Sequence, residues 1–195
     1  MTTSTGLLDQ VCDLANQDAW GRFVALYSPY LYGWLRRRAV PSHDADDLVQ
    51  EVFRVVAVEL PAFHHNHRVG AFRCWLRTIL AYRLRDHQRS VRTRSADRGS
   101  SDLLDRLADM LEVERSPMAQ TWDREHDQYI ARRMLALIEA DFQPVTWRAF
   151  WLVAVEGREP DAVASELHIS VESVYTAKAR VLKRLRHEAG HFLDR

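Results

Sequence analysis

Along most of the chain apolar residues recur at the spacing of one face of an α-helix, and the strict alternation expected of a half-buried strand is hard to find. The pattern predicts an all-α fold. A first helical stripe runs through Trp20, Phe23, Val24, Tyr27, Leu31, Trp34 and Leu35. Ser28-Pro29 falls inside it, where the missing proline amide is expected to kink or split the helix, and Arg36-Arg37-Arg38 suits its C-terminus. Ser42 is placed to cap a second helix, acidic in its first turn (Asp44, Asp46, Asp47) and apolar at Val49, Val52, Phe53, Val56 and Leu60, with Pro61 ending it. A third shows Phe72, Trp75, Leu76, Ile79 and Leu80 at i, i+3, i+4, i+7 and i+8, and ends near Ser90. Residues 91–121 hold the breakers Ser95, Gly99, Ser100, Ser101, Ser116 and Pro117 around an acidic, leucine-containing piece, the signature of a linker with at most a short helix. From Trp122 four more helices are expected, at about 123–140, 145–156, 160–167 and 171–188, broken by Pro144, Gly157 and His168-Ile169-Ser170.

The last of these breaks carries the sharpest signal. Val163-Ala164-Ser165-Glu166-Leu167-His168-Ile169-Ser170-Val171-Glu172-Ser173-Val174 reads as a helix-turn-helix. Ala164 permits close helix approach, Leu167, Ile169 and Val174 form a small shared core, Ser170 caps the second helix and Pro160 suits the first position of the helix before it. His168 occupies the turn position often held by glycine and must adopt an uncommon backbone conformation or a different turn. The second helix offers Ser170, Glu172, Ser173, Tyr175 and Thr176 near its N-terminal end to base edges, and Lys178, Arg180 and Lys183 further on to phosphate.

Composition and charge sharpen this picture. A hydrophobic fraction of 47% with 28% charged residues is ordinary globular usage and argues against disorder or a disulfide-stapled miniprotein. The longest apolar run, Ala149 to Val155, is far below the roughly 20 residues that cross a bilayer, and no signal-peptide pattern opens the chain; membrane insertion is not expected, and a cytoplasmic location is. Cys12 and Cys74, isolated from each other, read as small hydrophobes. The 27 basic and 27 acidic residues cancel, yet their distribution is uneven: residues 64–98 carry 9 basic and 2 acidic residues, and residues 99–145 carry 5 and 10. A second basic cluster, Lys178 to Arg186, follows, and two such patches suit a polyanion. Each is also compatible with a solvated helix face.

Over nearly its whole length the chain resembles the extracytoplasmic-function (ECF) group of sigma-70 family initiation factors. Asp46-Asp47-Leu48-Val49-Gln50-Glu51-Val52-Phe53 resembles the helix that the family docks on the β′ clamp helices of RNA polymerase, which points to Asp46, Asp47, Leu48, Gln50 and Glu51 as polymerase-binding residues. Gly70-Ala71-Phe72-Arg73-Cys74-Trp75-Leu76-Arg77-Thr78-Ile79 resembles the helix that opens and reads the minus-ten element, and the helix-turn-helix resembles the domain that reads the minus-thirty-five element. The resemblance implies a sigma-2-like domain over residues 1–90, a linker over 91–121 and a sigma-4-like domain over 122–195, with core RNA polymerase (β′ clamp helices and β flap) and promoter DNA as partners and an anti-sigma factor as a further candidate. No cofactor and no catalytic role are expected.

The residue chemistry agrees with these roles. Asp47 and Glu51, four apart, share a polar helix face that suits a basic partner, with ordinary surface charge as the alternative. Phe72, Arg73, Trp75 and Arg77 supply the aromatic faces and cations that unstacked bases need, although Phe72 and Trp75 also fit the apolar stripe. The loop residues His64, His65, Asn66, His67 and Arg68 fall where family members hold a flipped-out minus-ten base, and their polar groups suit its edge. The three histidines lack the carboxylate or cysteine partner that a metal site needs, so no metal is expected. The acidic linker suits a basic polymerase channel, or is simply a solvated spacer. Rival readings are a sigma-like mimic that binds an anti-sigma factor without reading DNA, a plain helix-turn-helix repressor, and a metal-dependent enzyme built on the histidine loop.

Overall fold

A computed structural model describes residues 7–13, 15–63, 70–94 and 101–189. Among these the chain is helical with no strand: α1 Leu7–Val11, α2 Gln17–Arg37, α3 Ser42–Glu59, α4 Ala71–Arg94, α5 Ser101–Glu112, α6 Pro117–Ile138, α7 Pro144–Ala154, α8 Pro160–Leu167 and α9 Val171–Ala189, with single 3-10 turns at Leu60–Ala62 and Glu139–Asp141. The expected all-α class is the observed one.

Several local expectations need correction. Pro29 does not split α2, which runs unbroken through it. Proline deletes the amide that would bond the Ala25 carbonyl, but Ala25 and Pro29 both lie on the exposed face, where water can satisfy that group. On the opposite face Phe23, Tyr27, Leu31 and Trp34 are buried on both sides of the proline and hold the helix together. Ser42 is not a cap: it is the first helical residue of α3, the preceding Pro41 occupies the cap position, and no side chain bonds the free amides there. Residues 91–121, expected as a linker with at most a short helix, contain the 12-residue helix α5. Its Leu104, Leu107, Ala108 and Leu111 recur on one face and are buried, so the segment packs along α4 instead of standing in water.

The main core draws on α1 to α6. Phe23, Tyr27, Trp34, Leu48, Phe72, Leu76 and Leu80 are fully or almost fully buried in it, and α6 contributes Trp122, Ile130 and Met134. Aromatic rings dominate where α2 meets α6: Trp122 lies edge-on to Trp34 at 5.0 Å and to Tyr30 at 5.1 Å between centroids, geometry that adds about 0.5–1.5 kcal/mol per pair to the area buried. The C-terminal end of α6 belongs elsewhere, with Ile138 packed on Phe150 and Val181. A small third cluster, Ala149, Leu152, Val163, Ala164, Val174 and Ala177, ties α7, α8 and α9. Helix α6 thus lies in one core as far as Met134 and has its last turn in another.

Candidate nucleic-acid interface

Helices α8 and α9 are built as the sequence suggests. Pro160 occupies the first turn of α8, Val163 and Ala164 are buried against Val174, and His168 ends the helix in the left-handed conformation at φ 55°, ψ 42°. That backbone lets the Ile169 amide return to the Ala164 carbonyl at 3.0 Å, a bond that closes the helix end. The Ser170 hydroxyl then accepts the Ser173 amide at 3.1 Å and caps α9. Ser170, Glu172, Ser173, Thr176 and Arg180 line one groove of about 500 Å³ between the start of α7 and the outer face of α9. Tyr175, 56% exposed, and Lys183 also face solvent, while Lys178 is half-buried. Nearby, Arg158 and Arg148 both pair with Glu166; the bond from Arg158 comes first in holding that carboxyl below its usual range. Arg184 of the basic cluster is committed to Asp141 at 2.8 Å and Glu188 at 2.6 Å.

On α3 the polar face is open. Asp46, Asp47 and Gln50 are exposed, and Glu51, partly exposed, pairs with Arg54 one turn on. Leu48 is the exception among the residues expected there: at 0% exposure it is a core side chain and has no surface to offer a partner.

Helix α4 departs furthest from expectation. Phe72, expected either as a base platform or as core, is core, fully buried among Phe23, Tyr27 and Phe63. Trp75 keeps partial exposure and lies tilted on Phe63 at 4.8 Å between centroids. Arg73 and Arg77 do not point into solvent. Arg77, 3% exposed, donates to Asp123 at 2.7 Å, and Arg73 donates to Asp127 at 2.8 Å. Further along, Arg85 pairs with Asp109 at 2.7 Å and with Glu112, both on α5. His64, His65, Asn66, His67 and Arg68 lie outside the described residues. Among the described residues no group of three or more His, Cys, Asp or Glu side chains is placed to hold a metal ion.

The contact that holds α6 on α2 and α4 has a buried titratable group at its centre. His126, fully buried, lies 3.0 Å from the Tyr27 hydroxyl through Nε2 and 3.1 Å from Asp127 through Nδ1. Burial pushes the imidazole below its ordinary range and the Tyr27 hydroxyl well above its own, while Asp127 acts on His126 in the opposite sense. A protonated tyrosine therefore donates to a neutral histidine, whose Nδ1–H turns to Asp127. Tyr129 donates to the Leu26 carbonyl at 3.0 Å and Tyr30 to the Trp122 carbonyl at 3.3 Å. At the N-terminal end of the same face Glu125 accepts from Arg38, whose guanidinium also lies 3.8 Å over the Trp34 ring.

The acids Asp123 and Asp127 escaped sequence reasoning as partners of α4. Their signal is visible in retrospect: two carboxylates four residues apart near the start of one helix match two arginines four residues apart on another.

Residues 23–94, covering α2 from Phe23 onward together with α3 and α4, match the family described as Sigma-70 region 2. The likeness is confined to those 72 of the chain's 195 residues. None of the curated proteins matches the chain. Sigma-70 region 2 is a family of core RNA polymerase and promoter DNA binding in non-enzymatic transcription initiation, and the match supports a role of that kind. The match ends at Arg94, so α5, α6 and the helix-turn-helix lie beyond it. No described helix is long and apolar enough to cross a membrane.

Proposed function

We propose that the chain is a sigma factor of the ECF group, which joins bacterial core RNA polymerase in the cytoplasm and directs it to promoters with two separate DNA-reading elements. The observation that carries this reading is the order of parts: a region 2 domain followed, outside the family match, by a helix-turn-helix whose second helix exposes Ser170, Glu172, Ser173, Tyr175, Thr176, Arg180 and Lys183. Asp46, Asp47, Gln50 and Glu51 on the open face of α3 meet the β′ clamp helices, the sigma-4-like end meets the β flap, and Leu48 acts only by holding α3 in the core. Helix α4 and the segment 64–68 read and open the minus-ten element through Trp75 and through Arg73 and Arg77, the two arginines that Asp127 and Asp123 hold in the free chain. The start of α9 reads the minus-thirty-five element, with Arg180 and Lys183 on phosphate. Division into a sigma-2-like part (1–90), a connecting part (91–121) and a sigma-4-like part (122–195) belongs to this reading, as does regulation by an anti-sigma factor.

Reconstituted transcription with bacterial core polymerase on genomic fragments tests it. Discrete start sites preceded by a shared pair of elements are the expected result. Absence of any transcript, together with capture of an anti-sigma partner, overturns this reading in favour of a sigma-like mimic.

A further inference from the structure

Helix α4 belongs to the most basic stretch of the chain, and three of its arginines are already held by acids of other helices. Arg73 and Arg77 lie on Asp127 and Asp123 of α6, and Arg85 lies on Asp109 and Glu112 of α5. The acids come from residues 99–145, the segment whose negative excess opposes the positive excess of residues 64–98. We propose that this is a self-masking contact: in the free chain the first half of α6 acts as an internal polyanion that competes with the opened promoter strand for Arg73 and Arg77, and it must leave α4 before the strand can bind. The proposal rests on the sigma-factor reading above.

Three features support competition in preference to mere surface pairing. The carboxylates repeat at i and i+4, as do the arginines, so two charge-assisted contacts form in register, much as two phosphates would meet the same pair. Arg77 is 3% exposed, which leaves no room for a phosphate while Asp123 is present. The pairs also sit beside an apolar anchor, with Trp122 and Ile130 buried, so the mask is held by packing and not by screened surface charge alone. Because α6 continues into the core shared with α7 and α9, its departure from α4 would also free the helix-turn-helix to take a separate position on DNA.

The affinity of a masked site is the intrinsic affinity multiplied by the open fraction, so a change that favours opening raises apparent affinity by the same factor. The test uses the full chain, with Asp123→Asn combined with Asp127→Asn, and measures binding of a fluorescein-labelled single-stranded oligodeoxynucleotide of mixed sequence at low salt. Hydrogen exchange along residues 117–130 is followed in parallel. We expect a gain of at least about tenfold in strand affinity, faster exchange in the first half of α6, and loss of the gain when Arg73→Ala and Arg77→Ala are added. A charge-matched control, Asp18→Asn with Glu59→Gln at exposed positions, corrects for the change in net charge. If the double variant loses helical content, Asp127→Asn alone, at a side chain 39% exposed, carries the test. A gain no larger than the control's, or one that survives loss of both arginines, overturns the mask. Core polymerase binding separates the two levels of failure. If wild type and variant both bind polymerase while strand affinity is unchanged, the mask alone falls; if neither binds polymerase, the sigma-factor reading falls and the mask with it.

Discussion

Phe72 decides whether the aromatic face of α4 is a reading surface or part of the core. Its ring is fully buried, with neighbouring centroids at 5.6 Å (Tyr27 and Trp75), 6.0 Å (Phe63) and 6.1 Å (Phe23). Phe72→Ala removes a whole ring from a close-packed site between α2, α4 and Phe63, and losses of this kind run to about 3–5 kcal/mol. With a urea slope of about 2–3 kcal/mol per M for a chain of this size, the unfolding midpoint should fall by about 1–2 M. Phe72→Leu keeps most of the volume and should cost no more than about 1.5 kcal/mol. A base-stacking role makes a different demand, since losing a stacked aromatic weakens strand binding by about 1–3 kcal/mol per base, whatever the stability of the fold. Urea unfolding followed by circular dichroism, alongside promoter opening with core polymerase, separates the two. The structure predicts a destabilised Phe72→Ala and a Phe72→Leu that opens promoters like wild type. A Phe72→Ala protein within about 1 kcal/mol of wild type, or a stable Phe72→Leu unable to open DNA, would refute the core assignment.

Three further predictions follow from other parts of the molecule. His126 is held neutral by burial, with Tyr27, Tyr30, Asp127, Asp123 and Arg73 around it, so its folded pKa lies below its unfolded one. Stability from this group should be flat above about pH 6.5 and fall as pH drops through the lowered value, by at most about 1.4 kcal/mol per pH unit; urea titrations should show that dependence reduced in His126→Gln, and an identical dependence in both proteins removes His126 as its source. His168→Gly should relieve the left-handed backbone at φ 55° and raise stability by up to about 1 kcal/mol, which a thermal melt would register as a shift of a few degrees, and a lower midpoint would contradict the strain. Asp47→Lys with Glu51→Lys reverses charge on the open face of α3 and should weaken core polymerase binding with helical content unchanged; an unaltered affinity in the folded variant excludes that face from the interface.

Local reasoning worked best where a short segment specifies its own geometry. The turn between α8 and α9 is one case, since a polar cap at Ser170, a proline at the first turn and a left-handed residue at His168 are all decided within about ten residues. The buried stripes of α2, α3 and α4 are another, because periodicity alone tells which side of a helix must leave water. Reading by composition failed over residues 91–121, where serine, glycine and acidic residues suggested a spacer. The leucines at 103, 104, 107 and 111 fall on one helical face that means little until α4 supplies a surface to cover it.

What the sequence determined by itself, then, was the helical class, the helix-turn-helix and the separation of basic from acidic stretches, because each depends on neighbours within a few turns of the chain. Only the tertiary structure decided the state of α4. Whether Phe72 faces a base or the core depends on Phe23 and Tyr27 of α2, and whether Arg73 and Arg77 wait for phosphate or already hold carboxylates depends on α6, some 50 residues away, and on how Trp122 and His126 anchor it against α2. An arginine is the same cation in any sequence, and the group that neutralises it is chosen by packing between distant segments, which periodicity and local spacing do not encode.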